Sequence, residues 1–197
     1  MIRVEEVDRY RVISHTRTLF RNRYSRERVV TNVLLINLNQ SKMNNSTMST
    51  KTQIIDLLRS TNREGIENVI NLLENSDFFT AECHSHHKYT GGMADHALDT
   101  YKIARRTSQG VPQDSLIICC LLHDLCDIAG HWEYKGHGQR SADLAVKHCG
   151  LKLSKDEWNA IRYHMRNSSK RPDHTPLGSA VFFADKASAV KGFFCRG

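Results

Sequence analysis

The chain has 197 residues, 40% of them hydrophobic and 25% charged, which suits one globular domain with an appendage. No apolar run reaches the length of a membrane span, and the opening MIRVEEVDRYR has no signal-peptide core, so a cytoplasmic location is expected. The formal net charge of +7 is uneven: residues 1–42 carry 9 Lys+Arg against 4 Asp+Glu, and the remainder carries 19 against 17. The six cysteines, Cys83, Cys119, Cys120, Cys126, Cys149 and Cys195, form no CxxC pair and read as small reduced residues rather than a disulfide framework.

Residues 1–42 show little periodicity and run into the polar stretch NLNQSKMNNSTMSTK, where Met43 and Met48 stand. Residues 1–48 therefore read as a basic extension and linker, dispensable and without fixed structure, and residues 49–197 as the domain. A basic arm of this kind also suits nucleic acid or an acidic surface.

Helical patterns then dominate. KTQIIDLLRS places Ile54, Ile55, Leu57 and Leu58 on one face, and NREGIENVINLLEN repeats this with Ile66, Val69, Ile70, Leu72 and Leu73. Gly65 falls in the first turn of that second helix, at a small local cost. DFFTAECHSHHKYTGG is irregular and turns at Gly91–Gly92 into the helix MADHALDTYKIARRT. After GVPQD, where Asp114 is expected to cap, Leu116 to Leu122 reads as a helix buried nearly all round. GHWEYKGHG is a loop, QRSADLAVKHCG a helix stopped by Gly150, and LSKDEWNAIRYHM a helix opened by a capping box from Ser154 to Glu157. NSSKRPDHTP is a loop, and LGSAVFFADKASAV the last helix. No segment alternates as a strand does. The fold class expected is all-α, a bundle of about six or seven helices.

Several polar side chains fall on the inward stripes of these helices. His96 lies on one, His123 and Asp124 inside the most apolar helix, His164 three residues after Ile161, and Asp185 on a face with Val181, Ala184 and Ser188; His137 opens a helix after a glycine loop. One buried histidine or aspartate is usually satisfied by a hydrogen bond. Several converging on one core, each costing a few kcal/mol if unpaired, are satisfied together by a cation. Imidazoles with carboxylates suit a divalent transition metal: Fe, Mn, Ni, Co or Zn. Neighbours on a helix diverge by about 100°, so His123 and Asp124 meet at one site only if the helix axis runs past it. Asp124 could then bridge two ions.

The order His96, His123-Asp124, Asp185 on a helical background resembles the HD-domain superfamily of metal-dependent phosphohydrolases, over roughly residues 50–190. HHKYTGGMADHALDTYKIA is similar to the lead-in of a bacterial and phage branch and of HD-type 3′→5′ exoribonucleases. GHGQRSADLA and AIRYHM are similar to segments that supply further histidines in two-metal members. The resemblance implies one or two ions, the first on His96, His123, Asp124 and Asp185, the second on His137 and His164, with Asp124 bridging. With a single ion, His137 or His164 would instead position water or move a proton. One departure stands out: Asp127 occupies the place where many members have a phosphate-binding lysine. Arg140, Lys88 or Arg162 would then supply the positive charge, Arg140 as a catalytic group. Among His84, His86 and His87, the resemblance favours His87 as a substrate contact; His131 is a rim candidate, and His15, His148 and His174 read as ordinary surface or loop residues.

The reaction implied is hydrolysis of a phosphate ester or anhydride by metal-activated hydroxide, on a nucleotide or related phosphorylated small molecule and not at a membrane. A 3′→5′ exonuclease on RNA or single-stranded DNA, and a nucleotide-binding module stapled by metal without turnover, are the alternatives. The sequence leaves the oligomeric state open.

Overall fold

The computed structural model describes residues 48–130, 136–165 and 175–194. The expectations for residues 1–47, His15, His131, His174 and Cys195 fall outside these residues, as does that for the side chain of Asp127.

Among the described residues there are seven α-helices and no strand: α1 (Thr50–Ser60), α2 (Ile66–Glu74), α3 (Gly92–Thr107), α4 (Gln113–Leu122), α5 (His137–Asp143), α6 (Lys155–Arg162) and α7 (Pro176–Phe194). A 3₁₀ turn, Leu125–Gly130, follows α4, and a π turn, Leu144–His148, extends α5. The all-α reading of the sequence is therefore correct. No described helix is long and apolar enough to cross a membrane.

Local chemistry sets the helix ends. The Ser49 hydroxyl accepts from the Thr52 amide at the start of α1. Ser154 and Glu157 form the expected capping box on α6. Asp114 is not a cap: α4 begins one residue earlier at Gln113, and Asp114 sits in its first turn, where a carboxylate favours the helix dipole. Gly65 likewise precedes α2 rather than lying within it, with φ of +86°.

Helix α3 packs on α7 and α4, α6 packs on α7 and α4, and α5 packs on α6. Helices α1 and α2 close one side through Ile54, Leu58, Val69 and Leu73. Every side chain from Leu116 to Leu122 is buried, as expected for a helix wrapped on all sides. Arg63 ties the α1–α2 turn to α6 with both terminal nitrogens on the Glu157 carboxylate, at 2.8 and 3.0 Å. Burial alone would raise the Glu157 pKa, but Arg63, the Ser154 amide and Ser115 pull it down to about 2.

Candidate metal centre

Helix α4 stops at Leu122, and His123 is its C-cap, so His123 and Asp124 stand at the end of the apolar helix rather than inside it. This corrects the sequence expectation and removes its geometric difficulty. Past the last helical turn the chain is free to bring both side chains to one point: His123 Nε2 lies 3.3 Å from Asp124 Oδ2. His164 repeats the device two residues beyond the end of α6. Each ring donates its Nδ1–H to a carbonyl that its helix leaves open, His123 to Cys120 at 2.8 Å and His164 to Ile161 at 2.7 Å. A carbonyl can only accept, so Nδ1 carries the proton and Nε2 presents a lone pair. His96 is oriented from α7: its Nδ1 stands 2.9 Å from the Ser188 hydroxyl, which in turn donates to the His96 carbonyl.

The inward atoms form two groups. In one, His96 Nε2 is 3.2 Å from His123 Nε2 and 3.4 Å from Asp185 Oδ1, with Asp124 Oδ2 3.9 Å away. In the other, His137 Nε2 and His164 Nε2 stand 2.9 Å apart, and Asp124 Oδ1 lies 3.4 Å from the first and 3.2 Å from the second. Asp124 thus turns one oxygen to each group. All four histidines and Asp185 are buried. Asp124 is only half-buried, so the centre meets solvent there.

The residues fit divalent metal ions. Asp124 Oδ1 is buried without a hydrogen-bond donor. The lone pairs of His96 and His123 face each other at close range, which is unfavourable unless a cation or a proton lies between them. Three-residue groups with ligand atoms within 4.8 Å of one another form at His96, His123 and Asp185, and at His123, Asp124 and His164. Without metal, a proton takes the cation's place. Burial lowers the pKa of His123, but Asp124 and Asp185 outweigh it and push it up to about 9. Burial lowers the pKa of His96 and of His164, each against the pull of neighbouring carboxylates. Burial opposes ionisation of both aspartates. His123 and His164 nevertheless hold Asp124 well below the usual carboxylate range, and Lys186, His96 and His123 do so for Asp185.

Residues 93–190 match the HD domain family. The chain belongs to the HD-domain superfamily. Members of this superfamily are metal-dependent phosphohydrolases that bind divalent metals, and the matched span contains all six convergent residues. No curated protein and no solved structure matches the chain.

The cations behave differently from one another. Arg140 stands one turn along α5 from His137, on the same side of the helix and half-buried. Lys88 is exposed, and the Arg162 guanidinium stacks over Trp158 and Tyr163, 4.8 and 4.9 Å from their ring centres. The sequence reading missed Lys186, whose Nζ is 2.8 Å from Asp185 Oδ2. Adjacent helical residues point apart, so only the length of the lysine side chain lets it fold back, a weak signal in sequence.

The expectation for His87 needs correction. Its side chain is 1% exposed, too buried to meet a substrate, and lies beneath Gly192 of α7. It is His86 whose ring approaches His96, with 4.4 Å between centroids. Burial first and His96 second push the His86 pKa down to about 3, so this ring is neutral at ordinary pH. His84 and His148 are exposed.

Proposed function

We propose that this HD domain hydrolyses a phosphate ester or anhydride of a nucleotide or related phosphorylated small molecule, with two divalent transition-metal ions bound. The observation that carries the reading is Asp124, one oxygen toward His96, His123 and Asp185 and the other toward His137 and His164. Ions held by these residues would supply acidified water and Lewis-acid stabilisation of phosphoryl charge.

The chain's own residues do the rest. His96, His123 and His164 are held through fixed partners on Nδ1, which aims each Nε2 at the centre, and His137 brings its Nε2 to the same place from the start of α5. Asp185 divides its carboxylate, Oδ1 toward His96 and Oδ2 on Lys186. That leaves the Lys186 ammonium beside the centre, where it meets a phosphoryl oxygen and takes the part that Asp127 cannot. Arg140 approaches from the His137 side as a second phosphate contact. Substrate enters across Asp124, the one half-exposed member of the six.

The test is a substrate panel on the tag-free full chain reconstituted with Mn²⁺, Co²⁺, Ni²⁺, Fe²⁺ or Zn²⁺. It should contain nucleoside mono- and triphosphates, a dinucleoside polyphosphate, a cyclic dinucleotide and short RNA and DNA strands. Metal-dependent release of phosphate or mononucleotide from a small nucleotide, lost in Asp124→Ala, is the expected result. Turnover confined to oligonucleotides would transfer the activity to a 3′→5′ exonuclease. Metal binding without turnover of any panel member would favour a nucleotide-binding module.

A further inference from the structure

A second group of ligand-type side chains lies outside the HD motif, on the loop before α3. Cys83, His86 and His87 bring one ligand atom each within 4.8 Å of one another. The two imidazoles face each other through Nδ1 at 3.1 Å. Cys83 Sγ lies 3.5 Å from the Gly92 carbonyl, so the thiol is already folded back over the start of α3.

The His87 side of this group is built with care. The residue adopts φ of +46°, uncommon for a side chain with a Cβ. Its ring occupies space that exists because residue 192 is glycine: a Cβ there would stand 2.0 Å from Nδ1. Its other nitrogen, Nε2, faces Asp99 Oδ2 at 3.9 Å, and that same oxygen accepts from Lys191 Nζ at 2.7 Å. A carboxylate behind the far nitrogen is the arrangement that orients a metal-binding imidazole.

We propose that Cys83, His86 and His87 bind a third divalent ion, separate from the two at Asp124, and that this ion clips the loop against α3 and α7. One thiolate and two imidazoles are a zinc-type set, with a fourth position left for water. Donor atoms around one tetrahedral ion stand about 3.3–3.8 Å apart, so small side-chain adjustments complete the site. On binding, the Cys83 thiol gives its proton to solvent and its sulfur becomes a ligand. Clipping the loop fixes the His86 ring against His96, and so fixes one wall of the HD centre. The inference depends on the loop's side chains alone and not on the two-ion reading.

The test is titration of metal-free, tag-free full chain with Co²⁺, reading the near-ultraviolet charge-transfer band of a cobalt thiolate. No cysteine belongs to the HD centre, so the band reports Cys83. It should appear in the native chain and in Asp124→Ala, and vanish in Cys83→Ser. A native chain without the band, or a band that survives Cys83→Ser, overturns the proposal and leaves the two imidazoles linked by a shared proton. Should Cys83→Ser lose its helical circular dichroism, alkylation of Cys83 in the native chain decides. Zn²⁺ is expected to slow it about tenfold or more, and equal rates with and without Zn²⁺ overturn the site.

Discussion

The two halves of the HD centre are built to different standards. His96, His123 and Asp185 come from the 16-residue α3, the end of the apolar α4 and the 19-residue α7. These helices pack against one another, and Ser188 and the Cys120 carbonyl lock two of the three side chains. His137 opens a 7-residue helix, and His164 lies two residues beyond the end of an 8-residue one. Their approach depends on Gly138: a Cβ there would stand 2.6 Å from the Arg162 carbonyl and 3.0 Å from His164 Nδ1. Ligands fixed before the ion arrives lose less entropy on binding it. The first half should therefore hold its ion tightly, and the second half should exchange its ion.

Asp124 belongs to both halves, so its loss should have the largest effect. Asp124→Ala is expected to release both ions and to lower kcat/KM by about a thousandfold or more, since metal stabilisation of phosphoryl charge amounts to several kcal/mol. Elemental analysis with a rate assay checks this. Protonation comes next. Below about pH 9 the first ion must displace the proton that Asp124 and Asp185 hold on His123, so its affinity should rise about tenfold per pH unit from about pH 7 to about pH 8.5 and flatten above. The same raised pKa has a stability consequence for the metal-free protein. The contribution of His123 is complete below its ordinary pKa of 6.5 and is lost as pH rises through about 9. Denaturant melts of the chelated protein across this range should show the loss, and melts of the loaded protein should not.

Gly138→Ala separates the halves most sharply. It should weaken the second ion about 10- to 100-fold while leaving the first in place, as loss of an orienting contact does elsewhere. Equal loss of both ions would erase the distinction. Lys186→Met should act last and least, raising KM for a phosphate substrate about tenfold with metal content unchanged. A fall in bound metal instead would show that Lys186 serves Asp185 rather than substrate.

The order of histidines and aspartates made the composition of the centre legible in sequence, because inward helical stripes name the residues that share a core. His96 and Asp185 sit mid-helix, where periodicity fixes direction, and both side chains are buried as the inward stripes imply. Periodicity gave less help at helix ends. Nothing in LLHDLCD marks where α4 stops, so the convergence of His123 and Asp124 rests on backbone that the pattern does not describe. The role of His87 was unreadable for a related reason: its burial depends on Gly192, a contact about a hundred residues distant in the chain. Lys186 was missed because a flexible side chain can reach back across a helix face that its Cα does not share.

The most direct measurement is calorimetric titration of metal-free protein with Mn²⁺, which suits oxygen and imidazole ligands better than a thiolate. The native chain, Gly138→Ala and Asp124→Ala would be run side by side. Two binding steps in the native chain, one retained in Gly138→Ala and neither in Asp124→Ala, are the expected result. A single step in the native chain, or two steps that survive Asp124→Ala, would contradict a centre in which one carboxylate joins a tight site to a looser one.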